Sequence, residues 1–213
     1  MRPRFDLHAM AAAIGVDLSR AFVDLEKLYA YVDARNDANT RDLDLPCHRG
    51  CSMCCNESVF ITPLEFFHAW DHVQTTMSDA ERSAIVDKGL SLYEEHRALI
   101  AALDGEHTDE HDTIAARLKF VCPLLGDDGA CRIYARRELY ARLFGSTFNE
   151  DGGVYGCDRV GAHLGGKHAT LLRARPIAKM LEALPLTFKR QVYPFYIHWM
   201  YGAGSDDGSR RSS

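Results

Sequence analysis

The sequence predicts a mainly α-helical domain with one short β-hairpin or knuckle, organised around a cysteine-ligated metal centre. Two capping boxes, beginning at Thr62 and Ser78, are each followed by apolar residues at helical spacing. A Gly-Asp-Asp-Gly turn at 126–129 separates two short runs of strand-like character. Four of the seven cysteines lie between Cys47 and Cys55, too close together to be an accident of composition. These three observations predict the fold class.

Length and charge exclude several classes of protein. With 213 residues, 46% of them hydrophobic and 26% charged, the chain is long enough to bury an ordinary core. The net charge of -5 provides no basic surface for phosphate contacts, so we expect no nucleic-acid partner. No apolar run reaches the length of a membrane span, and residues 1–16 make a poor signal peptide, so we expect no membrane association and a cytoplasmic location.

The first half of the chain predicts three helices. Apolar residues at steps of three and four indicate an amphipathic helix over 17–33, followed by a polar, turn-rich segment at 36–45. Thr62-Pro63-Leu64-Glu65 begins a second helix that ends near Thr76. A third helix runs from Ser78 to Asp104. Pro46 precedes the first cysteines, which therefore lie in a loop.

The second half begins with an acidic solvent loop at 105–112. The hairpin or knuckle over 118–134 then brings Cys122 and Cys131 together on one side of the turn. A helix of about ten residues follows to Phe144, and a loop that contains Cys157 leads to Gly166.

Two further helices are predicted over 168–184 and 188–199. Pro176 is expected to kink or split the first of them. Aromatic residues of the second indicate a core-packing or lid segment rather than a stacking platform for bases. We expect one domain over 1–201, with a cysteine core at 47–144, a helical C-terminal part at 167–201, and a disordered tail at 202–213.

The cysteine-rich stretch from Cys47 to Cys55 indicates a metal site. Thiolates are the ligands that select zinc, copper(I) or iron–sulfur clusters, and short spacings let one loop wrap around a single centre. Disulfides are a weaker explanation, because seven is an odd number and no export signal precedes the cysteines. The candidate metal ligands in this stretch are Cys47, Cys51, Cys54 and Cys55.

A Cys-x3-Cys-x2-Cys-Cys block, then a capped helix, then Cys-Pro-Leu-Leu and Cys-Arg-Ile-Tyr-x-x-Arg, resembles the YkgJ-type cysteine-cluster family. The resemblance covers 47–144 and includes Tyr134 and Arg137 of the second block. The metal ligands that it implies are Cys47, Cys51, Cys54, Cys55, Cys122 and Cys131. It implies zinc or iron chelation and, because flagellin lysine-N-methylases are among its members, methyl transfer to protein lysines in some of them. The chain departs from the family at Ala141, where members commonly have a cysteine. Cys157 is the available substitute, and His163 is a weaker one.

The number of thiols exceeds what one simple site needs. One tetrahedral zinc or one cubane cluster takes four protein ligands, and the neighbouring side chains of Cys54 and Cys55 diverge from a regular backbone. Either the centre is polynuclear or one thiol of this pair is simply buried in the core.

Several other polar residues have a structural explanation as well as a functional one. His68 and His72 lie one turn apart on a helix, where we interpret them as surface or core-edge residues rather than ligands. His107 and His111 are expected in the solvated acidic loop, whereas His48, inside the cluster, is a candidate ligand or a partner of a thiolate. The arginines near the second cysteine block form an exposed basic helix face or lower the pKa of nearby thiols; they are Arg132, Arg136, Arg137 and Arg142.

Three functional hypotheses follow. The first is a protein that holds an iron–sulfur cluster, with 4Fe–4S favoured, or zinc, in a structural, redox or metal-chelating role. The second is a cluster-dependent lysine N-methyltransferase of the flagellin-modifying kind, and the third is a metal-storage protein with surplus thiols. The expected partners are the metal ion or cluster and a protein partner or substrate. The sequence leaves open whether the protein is an enzyme.

Overall fold

A computed structural model of the chain describes residues 2–48, 50–104, 110–165 and 170–202. It is mainly helical, with 59% of residues in helices and one small sheet, which confirms the predicted fold class. The helices are α1 (Leu7–Ala12), α2 (Leu18–Thr40), α3 (Pro63–Thr76), α4 (Asp79–Ala102), α5 (Glu110–Arg117), α6 (Leu139–Leu143), α7 (Asp158–Leu164), α8 (Ala174–Glu182) and α9 (Tyr193–Tyr201). The strands are β1 (Thr147–Phe148), β2 (Val154–Tyr155) and β3 (Leu172–Arg173).

Helix α2 extends well beyond the predicted end at residue 33. Asp17 caps its N-terminus by accepting a hydrogen bond from the backbone N–H of Arg20 at 3.1 Å. Near the other end, the side-chain N–H of Asn36 donates to the carbonyl oxygen of Arg142 at 2.9 Å, and Asn36 is buried. The polar residues that predicted a loop are therefore held in helical geometry by a contact with α6.

Helices α3 and α4 begin where the sequence predicts. Both capping boxes are formed, with Thr62 and Glu65 at the start of α3 and Ser78 and Glu81 at the start of α4. The first is buried and the second is exposed. Each box satisfies backbone N–H groups that the first turn of a helix leaves without partners, so the boundary is determined locally.

The core is centred on α3, against which α9 packs. The ring of Phe66 stacks on Trp70 and on Tyr196, with ring centroids 5.4 and 4.8 Å apart. The indole N–H of Trp70 donates to the hydroxyl of Tyr201 at 3.2 Å. Tyr193, Tyr196 and Tyr201 of α9 thus pack in the core, whereas Trp199 of the same helix is exposed.

Helix α9 also lies very close to α4, at Gly89. A Cβ atom on Gly89 would come within 2.5 Å of Ile197, so only glycine allows this approach. At the end of α9, Tyr201 donates to the carbonyl oxygen of Pro3 at 3.2 Å and so ties this helix to the N-terminal segment.

The region after α6 has more regular structure than the predicted loop. Strand β1 pairs antiparallel with β2 and parallel with β3, with Thr147 opposite Tyr155 and Leu172. Helix α8 begins at Ala174, and Pro176 lies in its first turn. A proline there removes an N–H that has no intrahelical acceptor, so the expected kink does not occur.

Two predicted segments fall partly outside the described residues. The acidic loop at 105–112 overlaps the undescribed residues 105–109, and α5 begins directly after them at Glu110, where no helix was predicted. Of the predicted tail at 202–213, residues 203–213 lie outside the described part of the chain. Among the helices that are described, none has both the length and the apolar character needed to cross a bilayer.

Candidate metal centre

The first cysteine block lies in a loop that ends in a short 3-10 turn, Met53–Asn56. The loop is closed by two backbone hydrogen bonds of 2.9 Å, from Cys51 N–H to His48 O and from Cys55 N–H to Ser52 O. These tight turns fold Cys51, Cys54 and Cys55 back over a short stretch of chain.

The second block forms the predicted knuckle. Leu125 and Cys131 make an isolated antiparallel bridge, and the N–H of Leu125 donates to the carbonyl oxygen of Cys122 at 3.1 Å. The sulfur of Cys122 accepts a hydrogen bond from the N–H of Leu124, and that of Cys131 accepts one from Ile133. A backbone N–H aimed at a sulfur favours the thiolate, the form that binds metal.

The two blocks are joined directly. The N–H of Cys122 donates to the carbonyl oxygen of Cys55 at 2.7 Å. On the other side of the knuckle, Gly129 has a φ of +73°, and a Cβ atom there would lie 3.2 Å from the carbonyl oxygen of Gly50. Only a glycine fits both the left-handed backbone and the close approach of the loops.

Cys157 belongs to the same region. It is the N-cap residue of α7, and it lies close enough to Cys47 for their charges to interact. Gly145, just after α6, approaches the same place, since a Cβ atom on it would be 3.5 Å from the sulfur of Cys47.

All seven cysteines line one cavity of about 670 Å3. All of them are free thiols, ranging from half-buried to exposed. His48 and Ala141 also line this cysteine cavity, so the position of the absent family cysteine faces it too. The tertiary structure thus collects thiols from two blocks and from the start of α7 around one space.

The cavity gives its thiols different acidities. The S–H of Cys55 donates to the sulfur of Cys54 and lowers the pKa of Cys54 to about 6, while the pKa of Cys55 is strongly raised. Burial raises the pKa of Cys131 to about 11 and also raises that of Cys122. Burial raises the pKa of Cys47, and the neighbouring thiols add to this effect. Metal binding would release the protons that these groups retain.

Among the described residues, no three histidine, cysteine or acidic side chains are grouped tightly enough to hold a metal ion as they stand. The fit of a metal to this cavity therefore rests on donor chemistry: seven free thiols, three of which (Cys54, Cys122 and Cys131) already accept backbone N–H groups.

Glu138 is a cavity residue that sequence reasoning missed. It is 6% exposed and accepts a hydrogen bond from the hydroxyl of Tyr193 at 3.0 Å. Burial raises the pKa of Glu138 to about 7, and its negative charge in turn raises the pKa of Cys122 and Cys131. No local pattern distinguishes this glutamate from the other acidic residues, because tertiary packing buries it, in contact with Tyr193 of α9.

The basic residues near the second block are largely engaged in contacts of their own. The four arginines and their partners are Arg132 with Glu81, Arg136 with Glu26, Arg142 with Asp33, and Arg137 with the ring of Tyr134. Arg142 is buried, so the four do not make the exposed basic face that the sequence indicated. Arg137 lines the cavity and contributes to lowering the pKa of Cys54, as the alternative interpretation expected.

Most histidines lie away from the cavity. His68 is 2% exposed and accepts a hydrogen bond from Arg136 at 2.6 Å, so it is a core residue. His163, the weaker substitute for the absent cysteine, contacts the carbonyl oxygen of Leu43 at 2.6 Å and does not line the cavity. His107 lies outside the described residues.

A comparison with protein families finds one match. The model of the CxxCxxCC family, described as a putative zinc- or iron-chelating domain, matches residues 46–158, more than half of the chain. The matched segment includes all seven cysteines as well as Glu138. No curated protein and no solved structure matches the chain.

Proposed function

The chain belongs to the CxxCxxCC family of zinc- or iron-chelating domains, and from this premise we propose that it holds an iron–sulfur cluster or zinc in the cysteine cavity. The observation that carries the proposal is that seven free thiols, from three separate segments, line a single cavity. Of the two, an iron–sulfur cluster of the 4Fe–4S type is favoured. A cavity of about 670 Å3 with more than four thiolates suits a polynuclear centre better than one zinc ion.

The proposed ligands are the thiolates of both blocks and of Cys157. They would bind the metal and exclude water from it, while the N–H groups of Leu124 and Ile133 hold negative charge on Cys122 and Cys131. When bound, the metal supplies cross-linking of the two blocks and, if it is an iron–sulfur cluster, one-electron redox chemistry. The role is therefore structural, redox or chelating.

We further propose that residues 1–201 form one domain. The N-terminal segment contacts both α4 and α9: Arg82 donates to the carbonyl oxygen of Arg2 at 2.9 Å, and Tyr201 donates to that of Pro3. These bonds support a single unit in which the metal centre and the C-terminal helices fold together.

The test is anaerobic purification, followed by a visible spectrum and by quantification of iron, zinc and acid-labile sulfide on the same sample. We expect broad visible absorption with sulfide equal to iron. A colourless protein with tightly held zinc would show that the site binds zinc instead of a cluster. Several exchangeable metal ions per chain would favour a storage role. A protein that retains neither metal would overturn the proposal.

Methyl transfer to protein lysines stays a separate prediction, which the resemblance implies for some family members. It would require that the cluster-loaded protein consume S-adenosylmethionine in the presence of a protein substrate, and mass spectrometry of that substrate tests it directly.

A further inference from the structure

Glu138 is a buried carboxylate on the wall of the cysteine cavity. It occupies the N-cap position of α6, yet its side chain makes no capping hydrogen bond to that helix. Instead, one carboxylate oxygen accepts a hydrogen bond from the hydroxyl of Tyr193 on α9 at 3.0 Å. Helix capping therefore does not account for the position of this side chain.

Glu138 forms no ion pair with a residue in the described part of the chain, and Arg142 interacts with its charge only at longer range. The two arginines nearest to Glu138 in sequence contact other residues. Arg142 pairs with Asp33, and Arg137 lies over the ring of Tyr134 at 4.0 Å. Burying a charged carboxylate without a neighbouring cation is unfavourable, because the charge loses its hydration. Ionised thiols in the same cavity would add negative charge. A cation bound in the cavity would offset this charge.

We propose that Glu138 is an oxygen ligand of the metal centre, acting with Cys54, Cys122 and Cys131, so that the centre has mixed sulfur and oxygen ligation. This inference rests on the proposed function and goes beyond it, because it assigns a ligand outside the cysteine motif. Tyr193 is a positioning residue in this arrangement. Its hydroxyl orients the carboxylate, as hydrogen-bonding partners of metal-bound carboxylates do.

The experiment compares the wild-type protein with Glu138→Gln, using Co²⁺ as the probe in metal-free protein. Glutamine keeps the shape of the side chain and an acceptor for Tyr193 but is a poor metal ligand. The matched control is Glu57→Gln, another cavity carboxylate, which is more exposed and pairs with Lys119. Each protein is titrated in competition with a chromophoric chelator while its ligand-field and thiolate charge-transfer bands are recorded.

We expect Glu138→Gln to bind Co²⁺ at least about tenfold more weakly than wild type, with shifted ligand-field bands and unchanged thiolate charge transfer. Glu57→Gln should match wild type. If Glu138→Gln fails to fold by circular dichroism, X-ray absorption at the metal edge of the wild-type protein decides, and a first shell of sulfur alone overturns the inference.

The outcomes separate this inference from the function on which it rests. If the wild-type protein binds Co²⁺ through thiolates and Glu138→Gln has the same affinity and spectrum, Glu138 is not a ligand. The proposed thiolate metal centre is then still supported. Wild-type protein that shows no thiolate charge transfer overturns both.

Discussion

The backbone N–H of Cys122 donates a 2.7 Å hydrogen bond to the carbonyl oxygen of Cys55. This bond links the loop of the first cysteine block to the knuckle of the second, across the whole of α3 and α4. It holds the two thiol-bearing segments in register, so a ligand that binds one block lies beside the other. The predictions below test how this junction, its supports and its thiols behave.

Loss of one thiol from either block should reduce metal binding. We expect Cys51→Ser and Cys122→Ser to lower the metal content of the purified protein severely and to lower its melting temperature, because a structural metal contributes directly to folding free energy. The measurement is metal content per chain together with thermal unfolding.

Ser52→Ala is the matched control for the loop, since it changes a side chain beside Cys51 without removing a thiol. It should keep wild-type metal content. Full metal retention in both cysteine variants would mean that the two blocks do not share a centre.

The contact between Gly129 and Gly50 should be intolerant of a side chain. Gly129→Ala must place a Cβ atom 3.2 Å from the carbonyl oxygen of Gly50 on a backbone with φ of +73°. We expect a loss of about 1–2 kcal/mol in the free energy of unfolding. Urea denaturation of the purified variant measures this loss.

The opposite result is expected at Gly161, which lies inside α7 with open space around it. Gly161→Ala should stabilise the protein by about 0.5–1 kcal/mol, because alanine is the better helix former. Equal effects of the two substitutions would show that the Gly129 approach is unimportant.

The two capping boxes should contribute different amounts to the free energy of unfolding. The buried carboxylate of Glu65 accepts hydrogen bonds from Thr62, from the N–H of Leu139 at 2.8 Å and from the hydroxyl of Tyr29 at 3.2 Å. Glu65→Ala leaves these donors buried without an acceptor, so we expect a loss of at least about 3 kcal/mol.

Glu81→Ala removes the equivalent residue from the exposed capping box of α4, where water replaces the lost bonds. It should cost a small fraction of the Glu65→Ala effect in the same denaturation experiment. Similar losses from both variants would contradict the structural role assigned to Glu65.

His68 should make the protein less stable in mild acid. Burial lowers the pKa of His68 to about 4, and Arg136 donates to its Nε2, so the folded state holds the imidazole neutral. An unfolded chain takes up the proton near a pKa of 6.5. The stability is therefore complete above about pH 6.5 and is lost as the pH falls toward 4, by about 2 kcal/mol between pH 7.5 and 5.

The neighbouring Glu26 contacts the same ring nitrogen at 3.1 Å, and it would stabilise a protonated imidazole. Since Arg136 pairs with Glu26 and already donates to that nitrogen, burial is expected to prevail. Unfolding measured across this pH range should lose its His68 component in His68→Gln and keep it in His8→Gln, an exposed histidine. An unchanged slope in His68→Gln would exclude the neutral, buried form.

Local chemistry accounts for the features that the sequence predicted well. The capping boxes at Thr62 and Ser78, and the glycine turn between Cys122 and Cys131, each lie within a few residues of the structure they specify. The end of α2 was predicted wrongly because its last turns depend on the bond from Asn36 to Arg142, a contact that no local pattern contains.

The sequence by itself determined the helical class, the two cysteine blocks and the membership of the CxxCxxCC family, because these reside in short motifs with fixed spacing. Only the tertiary structure decided that Cys157 lines the same cavity as both blocks, and that Glu138 is buried beside them. The physical reason is that burial and proximity arise when distant segments pack together. The cavity wall combines residues of α2, α6 and α9 with the cysteine loops, and these segments are distant in sequence.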